Sequence, residues 1–119
     1  MTDAAAADTA LITAYHAHIY YDAATRPQAE RLRAQLGAVF PDARLGRWHD
    51  APIGPHPQGM FQVAFAPVLF ATLTPWLMLN RAGLTVLLHP ETGHERADHT
   101  VHAAWMGAIL PLDLSMLAD

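Results

Sequence analysis

The sequence predicts an α+β fold in which an antiparallel sheet carries two helices on one face. Strand-forming runs occupy 14–21, 43–53, 60–65 and 84–89, bounded by turn or proline chemistry. Two amphipathic segments, about 26–40 and 67–80, lie between them, each with a proline near its first helical position. The succession strand–helix–strand–strand–helix–strand is that of a split βαβ, ferredoxin-like sandwich, which leaves the second face of its sheet open.

The alanine-rich start is expected to be a flexible leader over residues 1–13, ahead of one domain over 14–119. In the first strand, alternation puts His16, His18 and Tyr20 on one face and Ala17, Ile19 and Tyr21 on the other. The turn at 22–25 supplies capping chemistry. The helix that follows presents Ala29, Leu32, Leu36, Val39 and Phe40 inward until Pro41 ends it. A second strand over 43–53 should reach the extended loop Gly54-Pro55-His56-Pro57, and a third over 60–65 should pair with it. The second helix turns Leu69, Phe70, Leu73, Trp76 and Leu77 inward. Pro75 is expected to kink or break it, and Gly83 to terminate it. The fourth strand, 84–89, should stop at Pro90. A polar loop at 91–98, a helical stretch near 99–107 and an apolar tail at 110–117 complete the chain.

Composition excludes several function classes. A net charge of −4, with seven scattered arginines and no lysine, offers no basic face for nucleic acid or an anionic membrane. Pro67, Pro75 and Arg81 interrupt the longest apolar run, so no membrane-spanning helix is expected. The absence of cysteine removes disulfides, thiolate ligands and thiol nucleophiles, and suggests a cytoplasmic protein. Ser115 is the only serine and sits in an apolar tail, which disfavours a serine hydrolase. The apolar segment 109–117 and the open sheet face point to a homodimer.

Eight histidines are the chemical feature of the chain. A His-x-His pair on a strand projects two rings from one face with backbones roughly 6–7 Å apart, a span that one metal ion can bridge. His89, closing a fourth strand that lies beside the first, can approach the same face, and proline-flanked His56 can enter from its side. Imidazoles without thiolates suit zinc, iron, copper or nickel, and the third ligand is open between histidine and a carboxylate among Asp50, Glu91 and Asp98. Surface histidines at alternate strand positions also arise by chance, and Gly54-Pro55-His56-Pro57 also reads as a plain tight connector. Trp48, Trp76 and Trp105 read as core or pocket wall before cofactor contacts.

The segments Tyr15-His16-Ala17-His18-Ile19-Tyr20, Ile53-Gly54-Pro55-His56-Pro57 and Leu88-His89-Pro90-Glu91-Thr92-Gly93 occur here in one order. With Trp48-His49, Trp76, Asn80-Arg81, Asp98-His99-Thr100 and Trp105-Met106-Gly107, they resemble the DOPA 4,5-dioxygenase family over roughly 14–117. The resemblance implies a ferredoxin-like domain that opens a catechol such as DOPA beside its hydroxyls with O₂, an extradiol cleavage. It implies Fe(II) held by His18, His56 and His89, with zinc or nickel as possible occupants of a purified sample. His99, His16 and Tyr20 would take catalytic roles, and Arg47, His49, Arg81 and Trp105 would contact substrate. The competing expectation is a ferredoxin-like module that binds metal or a small aromatic ligand without oxygenase chemistry.

Overall fold

The structure is a computed structural model and describes residues 5–119. Five strands form one antiparallel sheet: β1 (Ala14–Tyr20), β2 (Arg44–Leu45), β3 (Met60–Phe65), β4 (Val86–Glu91) and β5 (Ala104–Met106). Their order across the sheet is β2-β3-β1-β4-β5. The first four are arranged as expected for a ferredoxin-like sheet, with β1 and β3 central, and β5 is an additional edge strand.

Helices α1 (Arg26–Val39) and α2 (Phe70–Asn80) cover one face. Ala29, Leu32 and Leu36 of α1 and Leu73 and Leu77 of α2 bury against Ala17, Ile19, Phe61, Val63, Phe65, Val86 and Leu88. Each such leucine, isoleucine, valine or phenylalanine side chain contributes about 1.5–3 kcal/mol by leaving water. The inward phase of β1 is therefore the expected one. Val39 and Phe70 depart from expectation. Val39 is half exposed, and Phe70 lies at the edge of the core, 4.6 Å from the Tyr15 ring centroid.

Four boundaries differ from the sequence expectation. The second strand is only Arg44–Leu45, because the ladder to β3 slips by one residue further on. The Gly46 amide bonds the Gln62 carbonyl at 2.7 Å, yet the next pair is His49 with Met60. One extra residue between these points makes a bulge, which turns Trp48 toward the helix-side core beneath the Arg26 guanidinium. The second helix opens with a tight turn, Pro67–Leu69, and then runs through Pro75 without a break.

The third and fourth differences follow from edge geometry. Strand β4 continues through Pro90 to Glu91, although proline was expected to end it. Tyr20 and Thr85 share a ladder bond, so by alternation the nitrogen of Pro90 points away from β1. On that side β5 reaches only Val86, Leu87 and Leu88, and no donor is missed. The expected helix at 99–107 is replaced by α3 (Glu95–His99) and β5. The buried Asp98 carboxylate accepts the Thr92 amide at 2.8 Å and hydroxyl at 2.6 Å, coiling the intervening loop and starting the helix early.

Of the expected leader, residues 1–4 lie outside the described residues. Thr9–Leu11 form a turn capped by the Asp8 side chain, and the Thr13 amide bonds the Glu91 carbonyl at 2.9 Å. The C-terminal tail folds onto the open face, where Leu110 and Leu112 pack on Tyr20, Met60 and Leu87. No helix among the described residues is long and apolar enough to cross a membrane.

Candidate metal centre

The site follows from strand register. Arg44, Ala64, His16 and His89 form one row across β2, β3, β1 and β4, and directly opposite residues point to the same face. The next row on that face is Gln62, His18, Leu87 and Trp105, and the one after pairs Met60 with Tyr20. His56 and His99 come from outside the sheet. Gly54 adopts φ +55°, a left-handed conformation that suits glycine, and the His56 amide closes the turn on the Ile53 carbonyl at 3.0 Å. The Asp113 amide holds the same loop through the Pro55 carbonyl. His99 closes α3, which the Asp98–Thr92 bonds fix in place.

Five histidines meet there. His16, His18 and His89 each offer a ring nitrogen, and the three atoms lie within 4.8 Å of one another. The Nε2 atoms of His18 and His89 are 3.0 Å apart. Two nitrogens each about 2.0–2.1 Å from one ion stand about 2.9–3.4 Å apart, so this spacing suits a shared metal. The ring of His56 lies 4.2 Å from that of His18, and the ring of His99 lies 4.0 Å from that of His89. His18, His56 and His89 are almost completely buried.

Burial keeps these imidazoles neutral, the form that ligates. His18 is held well below its usual pKa by desolvation and by the neighbouring histidines. Burial also pushes His56 and His89 down to about 4. For His16 desolvation again dominates, opposed by Glu91 and reinforced by Arg44. The backbone sets one tautomer: His89 Nδ1 donates to the Pro90 carbonyl at 3.0 Å, which leaves Nε2 with its lone pair. His99 Nδ1 donates likewise to the Glu95 carbonyl at 2.7 Å. Among the described residues, His18 Nδ1 is buried without a partner. The Tyr20 hydroxyl, whose pKa burial raises, shares a hydrogen bond of 2.6 Å with His56 Nδ1. The donor set fits a divalent ion.

Of the residues expected to touch substrate, Trp105 stacks over Tyr20 with ring centroids 6.0 Å apart. It also lines a hollow of about 480 Å³ with His99, Ala103, Leu110 and Leu112. His49 pairs with Met60 at the margin of this face. Arg47 is exposed beside the bulge. Arg81 donates to the Leu84 carbonyl at 2.8 Å, in the turn that enters β4 at the end opposite His89. Of the weighed carboxylates, Asp50 accepts from Tyr21 and Arg26 on the helix side, whereas Glu91 stands beside His16. His94 and His102 line a separate hollow of about 350 Å³ against residues 7–12.

Two residues of this face were missed. Arg44 shares the row of His16 and His89, and Gln62 stands opposite His18. Both became visible only through strand pairing, which the sequence carries weakly.

Comparison with known proteins matches the Dopa 4,5-dioxygenase family over residues 15–116. The chain belongs to that family. A DOPA 4,5-dioxygenase of Amanita muscaria is 33% identical over 114 residues, covering 89% of this chain and 50% of the relative. An uncharacterized 21.2 kDa protein of Botryotinia fuckeliana is 40% identical over 121 residues, covering 92% and 66%. The chain thus spans about two thirds of one curated relative and half of the other. The crystal structure of a provisionally named dioxygenase from Nostoc punctiforme PCC 73102 superposes with a TM-score of 0.91 at 54% identity, covering 93% of this chain and 96% of that one. Membership in the Dopa 4,5-dioxygenase family gives the histidine cluster a chemical context.

Proposed function

We propose that the protein is a metal-dependent dioxygenase that opens a catechol ring beside its hydroxyls, with DOPA or a related dihydroxyphenyl compound as the substrate class. The observation that carries this reading is the convergence of His16, His18 and His89 within 4.8 Å on one sheet face. Membership of a dioxygenase family supports it.

His16, His18 and His89 would hold the ion, so that His16, expected in a catalytic role, joins the ligands, and His56, expected as a ligand, stands beside them. Bound there, iron(II) would supply the Lewis acidity that lowers a catechol's pKa and the redox chemistry by which O₂ reacts; zinc or nickel would occupy the same nitrogens in a purified sample. The residues of the chain do the rest. Trp105 and the apolar hollow receive the ring and exclude water. His99, its Nδ1 fixed on the Glu95 carbonyl, has Nε2 free to hold or pass a proton. Tyr20, locked on His56, fixes that ring and completes the wall. Arg44, in the row of His16 and His89, would hold an anionic substituent of the substrate, the role expected of Arg47 or Arg81.

Oxygen consumption by anaerobically iron-loaded protein, given a panel of catechols, tests the proposal. Uptake with a yellow ring-opened product, abolished by chelation, is expected. Stoichiometric metal without uptake on any catechol would overturn it in favour of a binding module. The proposal includes a cytoplasmic location and a homodimer, and the exposed Val101 and Ile109 beside the hollow support the dimer. Light scattering that shows a monomer at micromolar concentration would remove the dimer.

A further inference from the structure

Glu91 reaches the cluster by a route that depends on Pro90. Because β4 runs through the proline, His89 and Glu91 are alternate residues of one strand and share a face. His89 is directly opposite His16, so Glu91 is the diagonal neighbour of His16, within reach of a long side chain. Its Oε1 lies 3.0 Å from His16 Nδ1 and 3.6 Å from His89 Nδ1. The second distance exceeds a hydrogen bond, and His89 Nδ1 already donates to the Pro90 carbonyl. The dipeptide Pro90-Glu91 therefore accepts from both rings, the carbonyl from His89 and the carboxylate from His16.

We infer that Glu91 is a positioning residue: its carboxylate accepts a hydrogen bond from Nδ1–H of His16, holding the proton on that nitrogen and leaving Nε2 of the ring as the one presented to the metal. This deepens the proposed function and rests on its histidine cluster. His16 needs the help more than its neighbours do. It is the least buried of the three, and among the described residues its ring has no backbone acceptor. The carboxylate also brings one negative charge beside three neutral ligands, offsetting part of a divalent charge. The ring nitrogens that lie within 4.8 Å of one another belong to His16, His18 and His89, and Glu91 meets this group at His16 Nδ1.

The test is zinc affinity, measured by chelator competition on the full chain, together with the His16 tautomer read from ring ¹⁵N shifts in metal-free protein. Glu91→Gln keeps an acceptor oxygen for Nδ1–H and Glu91→Ala removes it. Weakening of about 10–100-fold is expected for Glu91→Ala, with Glu91→Gln much closer to the parent and the parent ring protonated at Nδ1. Unchanged affinity in Glu91→Ala would overturn the inference. So would a Gln variant as weak as the Ala variant, which would make Glu91 a ligand or a pure charge, or a parent His16 protonated at Nε2. Thermal unfolding of each variant checks that it is folded. A parent that binds zinc through this arrangement yet consumes no oxygen when iron-loaded would refute the dioxygenase reading and leave this inference intact.

Discussion

At the residue scale, the cluster is stabilised by neutrality. His18 and His89 lie with their Nε2 atoms 3.0 Å apart, a separation that two protonated rings cannot hold. His18→Ala and His89→Ala should each reduce bound metal severely, and full occupancy in both would contradict their assignment as ligands. The depressed pKa values also set a pH dependence for the metal-free protein. The unfolded chain titrates these rings near 6.5, whereas folded His56 and His89 stay neutral to about 4. Unfolded protein therefore binds more protons between those limits, so stability is complete above about pH 6.5 and falls progressively toward pH 4. An unfolding midpoint that stays flat from pH 7 to 4.5 would contradict this. Tyr20→Phe removes the hydrogen-bond partner of His56 Nδ1 and leaves that buried ring nitrogen unpaired, with an expected cost of about 1–3 kcal/mol in urea unfolding. The alternation of β1 was legible because His16, His18 and Tyr20 repeat with period two. The contribution of Arg44 was not, since it depends on which residue stands opposite Ala64.

At the element scale, the periodic segments were read correctly and the edges were not. Helix α1 and strand β3 carry enough apolar contrast to define themselves, and β3 lies within its expected limits. The short edge strands β2 and β5 owe their pairing to partners distant in sequence, and a bulge or a three-residue run leaves no periodic trace. Pro90 shows the same limit from the other side. A proline reads as a stop unless its nitrogen is known to face an unpaired edge. The loop holding His56 depends on Gly54 at φ +55°, so Gly54→Ala should cost about 1–2 kcal/mol from left-handed strain. It should also weaken metal binding if that loop orders the site. Equal stability of the variant and the parent would show that the turn adopts another conformation.

At the scale of the whole molecule, the two faces of the sheet divide the work. The helix-covered face is apolar and supplies stability; Leu36→Ala, at a fully buried site, should cost about 2–5 kcal/mol. The other face gathers polar rings under a partial cover made by the tail, whose Asp113 amide is tied to the loop of His56. The split βαβ arrangement was predictable from element order, and so was the need to cover its open face. What covers it was not: the tail contributes through a few aliphatic contacts and single hydrogen bonds, which no local pattern encodes.

The central claim is that one divalent ion is held among His16, His18 and His89. Diffraction from iron-loaded crystals at the iron absorption edge tests it directly. A single anomalous peak between those three rings is the predicted result. A peak elsewhere, such as beside His94 and His102, or no peak in protein that carries stoichiometric iron, would contradict it.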